Sequence, residues 1–361
     1  MYPVSTTPEV QQLLSNGAVC AIGISGGKDS QATAIRVNEY LDEIGFTGPR
    51  VLIHSDLGSV EWRESLPACE RLAARLDLEL IVVRRAAGDL MQRWETRWAN
   101  SIERYVSLSC VKLILPWSTP GMRFCTSELK TDIICGELTR RFPGRQILSI
   151  TGIRREESSV RAKMPIAQPQ VKLSRRGATG WNWNPIIEWS TKEVFAYLAE
   201  KGETLHEAYT RYGSTRVSCA YCIMGSIGDL LASTRCESNA EIYRCMVDLE
   251  IRSTFALQGS RWLGDVAPHL LPASAQQALL QAKQRAALRV RQELLLPAHL
   301  LFTSGWPNAI PSPEDAALIA DVRRSVGLAV GLEVRFTTAN EVIRRYGELL
   351  EKKMAKQLEA T

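Results

Sequence analysis

The chain has 361 residues, and none of its apolar runs approaches the ~20 residues that a membrane-spanning helix requires. The longest such run, Leu294–Phe302, is broken by Pro297 and His299. Met1–Ser15 lacks the charged-then-apolar layout of a secretion signal, so a cytoplasmic protein without a membrane partner is expected. Internal repeats and low-complexity tracts are also missing, which excludes a collagen-like chain or a coiled-coil rod. Cysteine occurs nine times, an odd number in a chain with no such signal. A disulfide scaffold does not suit that setting, and metal binding, catalysis or simple burial stay open. Only one C-x-x-C pair is present, Cys219 and Cys222, which argues against a sequence-local zinc ribbon.

What is there reads as a globular protein. Hydrophobic residues make up 45% and charged residues 23%, ordinary values for a packed core under a polar surface. The length predicts two domains. Formal charge is +5, but Pro120–Gly180 alone carries 12 Lys/Arg against 5 Asp/Glu. Positive charge gathered into one stretch suits an anionic partner.

The first half alternates strand-like and helix-like segments. Ala18–Ile24, Val51–His54, Glu79–Val83 and Gln146–Gly152 read as strands; Gln31–Ile44 and Trp62–Leu76 read as helices. This alternation predicts an α/β fold, a parallel sheet with helices on both faces. Trp181–Trp189 reads as a loop or edge segment, and Thr191–Lys201 as a helix capped by Ser190. Ala273–Leu296, Pro313–Ala329 and Ala339–Leu358 are helical in pattern, so 1–255 is expected as the first domain and 256–361 as a helical C-terminal region.

Ile22–Gln31 reads I-G-I-S-G-G-K-D-S-Q between a strand and a helix. Gly26 and Gly27 free the backbone to turn sharply and approach a ligand. The helix start offers unpaired N–H groups and a positive dipole end. Lys28 adds a full charge, and Ser25 and Ser30 add hydroxyls. The segment is built as a phosphate cradle. It is not a Walker A loop, because Ile22 and Asp29 stand where that pattern needs Gly and Ser/Thr.

Ser25-Gly26-Gly27-Lys28-Asp29-Ser30 resembles the pyrophosphate loop of ATP pyrophosphatases, which cleave ATP between its α- and β-phosphates. Met122–Lys130 (M-R-F-C-T-S-E-L-K) resembles the Arg-x-Cys-Thr-x-x-x-Lys segment of phosphoadenosine phosphosulfate (PAPS) reductase-like proteins. Thr151–Arg161 and Asn184–Leu198 are similar to further segments of that group, the first being shared with the ATP-using subunit of sulfate adenylyltransferase. The resemblance, to a family within the adenine nucleotide alpha-hydrolase superfamily, covers about two thirds of the chain, roughly 18–250. It implies ATP and Mg2+ as ligands, with Asp29, Asp56 and Gly152 near the nucleotide. Lys28, Lys130, Arg154 and Arg155 are then the candidate charges for phosphate stabilisation.

A lone Cys-x-x-Cys suits zinc, an iron–sulfur cluster, redox use or burial. RNA-modifying thiolases and the ATP pyrophosphatase subunits of bacterial DNA phosphorothioation pair this loop with a [4Fe–4S] cluster. The resemblance therefore implies Cys125, Cys219 and Cys222 as ligands, with Cys236 as a possible fourth. Cys20, Cys69, Cys110 and Cys135 sit in apolar contexts and are expected to be buried. The last cysteine is Cys245, so the tail cysteine that thioredoxin-dependent sulfonucleotide reduction uses is missing. The expectation is an ATP pyrophosphatase that adenylates an acceptor for sulfur insertion, first of all a DNA backbone phosphate. Its implied partners are a cysteine desulfurase or other sulfur donor, nucleic acid and other modification subunits. A sulfate adenylyltransferase subunit, a tRNA thiolase and a non-catalytic nucleotide-binding adaptor are the alternatives.

Overall fold

The computed structural model describes residues 2–174, 178–302 and 305–359. Arg175 and Arg176 of the basic stretch lie outside the described residues. The chain divides into two compact units, one of Met1–Leu90 with Pro120–Ala240 and one of Met91–Thr119 with Glu241–Thr361.

The first unit is built on a six-stranded sheet in the order β3-β2-β1-β4-β6-β5. The strands are β1 (Val19–Gly23), β2 (Arg50–Asp56), β3 (Leu80–Arg84), β4 (Ile147–Ile150), β5 (Ala167–Pro169) and β6 (Gly180–Trp183). All pairings are parallel except β5 with β6. Position in the sheet explains composition. The central β1 is an almost unbroken buried run, whereas the edge strand β3 alternates buried and exposed residues. Successive side chains of β1 enter opposite layers. Cys20 and Ile22 pack with Ala32, Ile35 and Leu72. Val19 and Ala21 pack with Cys135 and Leu138. Helices therefore cover both faces, as the alternating pattern predicted.

Helix Lys28–Glu43 begins three residues earlier than its apolar periodicity suggests, directly on the Gly-rich turn. Helix Thr191–Glu200 starts at Ser190, whose hydroxyl and the Glu193 carboxylate form a capping box, as expected. Two readings need correction. Gly180–Trp183 is not a loop or the sheet edge: Trp183 is fully buried between β4 and β5, and the strand pattern was hidden by polar Asn182 and the nearby Pro185. β5 itself had no signal, being three residues long with a proline.

The expected division at residue 255 also differs from the observed units. Residues 91–119 belong with the C-terminal helices. Arg323, fully buried in helix Pro313–Val330, donates to the carbonyls of Tyr105 (2.7 Å) and Val106 (3.2 Å). Trp117 donates to the Phe255 carbonyl at 2.9 Å. Helices Leu90–Val106 and Ala240–Ser253, after their first residues, and helices Ala273–Glu293 and Ala339–Leu358 also fall in this unit. No helix among the described residues is long and apolar enough to cross a membrane.

Candidate nucleotide and thiol site

The site lies at the carboxyl ends of the three adjacent strands β2, β1 and β4. Successive connections leave β1 in opposite directions there, a position where open α/β sheets bind ligands. Gly26 has φ +75°, and a Cβ on it would stand 2.9 Å from the Ser65 carbonyl, so the turn admits only glycine. The Ser25 N–H donates to Ser30 Oγ (3.1 Å), and that hydroxyl donates to the Gly27 carbonyl (2.9 Å). The N–H groups of Gly26, Gly27, Asp29 and Ser30 have no acceptor among the described residues. Open amides at a helix start, with no side-chain cap, fit a polyphosphate.

Lys28 is turned inward and is 4% exposed. Its Nζ meets Asp29 Oδ2 at 3.0 Å and the Thr215 carbonyl at 3.4 Å, and it lies over the rings of Phe195 and Tyr209. The other Asp29 oxygen accepts from Arg154 Nε at 2.7 Å. Gly152, just past β4, fits closely against this turn: a Cβ there would lie 2.6 Å from the Asp29 carbonyl. The β2 end carries Asp56. Burial pushes its carboxyl up, but the Arg84 guanidinium and the Gly58 N–H (2.7 Å) outweigh it and hold it below the usual carboxylate range.

Not every expected cation points at the cradle. The buried Arg154 guanidinium is engaged by Asp29, Glu156, Thr191 and the Trp189 carbonyl. Its observed role is to hold Asp29. Arg155 pairs with Glu188 and donates to the Met164 carbonyl. Only by leaving these partners would either reach a phosphate. Lys130 lies on a π-type turn, Ser127–Thr131, close enough to Cys219 to favour its thiolate.

Cys219 stands in an isolated bridge with Glu61, and the next N–H, of Ala220, donates to the Val60 carbonyl at 2.8 Å. Burial pushes the Cys219 thiol up, and the neighbouring Cys222 and Cys125 thiols act in the same direction. The Cys219 thiol thus feels both its pair partner Cys222 and Cys125, which lies 94 residues away in sequence. The Met224 N–H faces Cys222 Sγ at 3.5 Å, an orientation that stabilises a thiolate. Cys236 is turned to Ser238 Oγ (3.1 Å) and Tyr212, rather than to the trio. Among the described residues no group of His, Cys, Asp or Glu is spaced for a single metal ion. An iron–sulfur cluster takes thiolate ligands, and thiols are the chemistry that Cys125, Cys219 and Cys222 offer. A Mg2+ ion on the triphosphate would be held largely by phosphate oxygens and water. Cys20, Cys69, Cys110 and Cys135 are buried, as expected.

The link between the two halves of the site was not visible in the sequence. The Tyr209 hydroxyl accepts from the Lys28 N–H (3.2 Å) and from the Val217 N–H (3.1 Å), two residues before Cys219. Buried Asp229 accepts from the Thr215 N–H (2.8 Å) and from the Ser214 and Thr215 hydroxyls, while capping helix Ile227–Thr234. The Gly-rich loop and the segment before Cys219 therefore share the Tyr209 hydroxyl, while Asp229 fixes the Thr215 backbone that Lys28 Nζ reaches. Two histidines flank them. Burial pushes His206 down to about 4, and its Nδ1 accepts from the Ala208 N–H at 3.0 Å. Burial also pulls His54 down, but the adjacent Cys69 thiol and Glu61 carboxylate raise it to about 10; its Nδ1 lies 3.0 Å from the Ile24 carbonyl.

Residues 19–230 match the phosphoadenosine phosphosulfate reductase domain, and the chain belongs to that family. A segment of 84 residues is 39% identical to cytoplasmic tRNA 2-thiolation protein 1 of Bos taurus. It covers 23% of this chain and 23% of that protein, so the chain matches under a quarter of the relative's length. Among solved structures, PAPS reductase from Candida auris in a phosphate complex is 14% identical, over 60% of this chain and 97% of that one, with TM-score 0.36. The U34-tRNA thiolase NcsA from Methanococcus maripaludis with its [4Fe–4S] cluster is 12% identical, over 78% and 75%, with TM-score 0.32. The FMN adenylyltransferase of Candida glabrata with FMN and an ATP analogue is 16% identical, over 56% and 55%, with TM-score 0.38. The family assignment rests on the domain match.

Proposed function

We propose that this protein is an ATP pyrophosphatase that activates a nucleic-acid acceptor for sulfur insertion. The observation that supports the reading is the pair of contacts that ties the Gly-rich loop to the segment leading into Cys219: Tyr209 accepts from both the Lys28 and Val217 N–H groups, and Lys28 Nζ reaches the Thr215 carbonyl. On this reading, chemistry on a nucleotide and chemistry at sulfur work side by side. The triphosphate lies against the open amides of Gly26–Ser30, with Lys28 and Lys130 supplying positive charge as pyrophosphate leaves. An acceptor oxygen attacks the α-phosphorus and becomes adenylated. A sulfur nucleophile then displaces AMP, which carries that oxygen away. A [4Fe–4S] cluster on Cys125, Cys219 and Cys222 would supply a site for inorganic sulfur at this point. Arg154 and Gly152 act earlier, by fixing Asp29 and the loop.

A DNA backbone phosphate, as in phosphorothioation, is the first acceptor considered, with a cysteine desulfurase as donor and other modification subunits as partners. A tRNA base is the second, favoured by the 39% identity over 84 residues to the tRNA 2-thiolation protein. Deletion in the host, followed by mass spectrometry of DNA phosphorothioates and thiolated tRNA bases, separates them. If neither product changes, and PAPS-dependent sulfite production falls instead, sulfur insertion is wrong. Anaerobically purified protein is expected to contain iron and sulfide, both lost in the Cys219→Ser, Cys222→Ser double variant.

A further inference from the structure

The sequence concentrates positive charge in 120–180, but six of its twelve Lys and Arg are ion-paired in the fold. Arg140, Arg141, Arg154, Arg155, Arg161 and Lys172 are all ion-paired with acids of the same unit. Arg145 donates to the Gly17 carbonyl. A different set of cations is left over around the thiols. Exposed Arg216 lines the small cavity that also contains Cys219 and Cys222. Exposed Arg123 stands two residues before Cys125. Exposed Arg63 follows Trp62, another wall of that cavity, and lies two residues beyond Glu61, which pairs with Cys219. None of these three has an acid partner among the described residues. The nearby acids are taken: Glu61 faces His54, and Glu64 pairs with Arg71. The same surface exposes apolar side chains at Met122, Met224 and Ile227, each within five residues of a thiol.

We propose that Arg63, Arg123 and Arg216 form a rim around the thiols that seats the sugar–phosphate backbone of a single-stranded nucleic acid. This goes beyond the function proposed above and rests on it only for what is done to the strand. Unpaired cations attract phosphates by releasing counterions, whereas ion-paired ones have little left to offer. The exposed methionines and isoleucine offer apolar contact to bases, which a duplex keeps stacked inside. DNA and RNA present the same backbone charge, so the rim recognises both.

The test uses the full chain with labelled oligothymidylate, oligouridylate and a duplex of matched length. Arg63→Ala/Arg123→Ala/Arg216→Ala should weaken single-strand binding about a hundredfold at about 0.1 M salt, since each phosphate contact is worth a salt slope of about 0.7. Arg140→Ala/Arg141→Ala/Lys172→Ala removes the same formal charge from paired positions and should bind nearly as the parent does. Single variants, Arg216→Ala first, should each lower the slope by about 0.7, which keeps the test alive if the triple variant misfolds. The relative affinities of the two oligomers identify the source of the strand. Equal loss in both triple variants, unchanged slopes in the single variants, or no single-strand binding by the parent overturns the proposal. So does a protein that occupies the rim and is not displaced by oligonucleotide. Pyrophosphate release is measured separately: its absence beside intact strand binding counts against the proposed function and leaves the rim standing.

Discussion

Each unit buries a cation, and the two are treated differently. Arg323, in the helical unit, is fully buried and donates to three backbone carbonyls, those of Tyr105, Val106 and Arg335. Lys28, in the sheet unit, has one carboxylate, one carbonyl at 3.4 Å and two aromatic faces. The contrast extends to their surroundings. Near Arg323 the charges close on one another: Arg289 pairs with Glu293, and Glu250 accepts from the N–H groups of Leu257, Leu263 and Gly264. Near Lys28 the backbone amides stay open. A closed network holds a fold together, and an open one is available to a ligand.

Lys28→Ala should sharpen this contrast most. We expect ATP turnover to fall about a thousandfold, the upper range for removing one group that stabilises transition-state charge, with unfolding by urea almost unchanged. Pyrophosphate release checks it, and orthophosphate as the primary product would defeat the assignment of the loop. Arg323→Met should do the reverse. Three buried carbonyls lose their donor, so stability should drop by about 3 kcal/mol, while the folded fraction keeps its turnover. A Met variant as stable as the parent would mean that this network does not support the helical unit.

Glu250 gives the comparison a pH dependence. Burial pushes its carboxyl up to about 7, against the three N–H donors that pull it down. The folded state therefore holds this proton more tightly than the unfolded chain does. Its contribution is fully present below the ordinary carboxyl range and is lost as pH rises through about 7. We expect about 3 kcal/mol of stability to disappear across that window, and Glu250→Gln to flatten the profile. His206, pushed down to about 4, acts in the opposite sense, so the sign is read from the parent minus the Glu250→Gln variant: a difference that rises from pH 5 to 7 would be wrong. The smallest effect expected is at the hinge of the site. Tyr209→Phe keeps the ring over Lys28 but leaves two N–H donors without an acceptor. We expect about 1 kcal/mol, read as a several-fold rise in KM for ATP. If the proposed cluster is present, the variant should also perturb any nucleotide-induced change in its electron paramagnetic resonance signal, which a purely structural role would leave alone.

Much of the first unit was legible in the chain. The apolar run before Ser25–Ser30 identified β1, the Gly-Gly pair identified the cradle, and the Ser190–Glu193 spacing identified a helix start. These are local signals, set by φ freedom, capping and periodicity over a few residues. β6 was misread because its burial comes from its neighbours β4 and β5, not from its own alternation. The 91–119 segment was misassigned for a similar reason. Its partners Phe255 and Arg323 lie more than a hundred residues away in sequence.

The site shows the same boundary. Sequence by itself determined which residue types stand at the phosphate loop and which cysteines form a pair, because both are spacings within one short segment. Tertiary structure decided which cations remain available. Arg154 and Arg155 look identical to Arg123 in a count of charge, yet the fold places carboxylates against the first two and, among the described residues, none against the third. It also decided that Tyr209 joins the two loops, a role with no local signature. An ion pair between distant segments depends on where the chain returns in space, and the charge of a stretch of sequence carries no record of it.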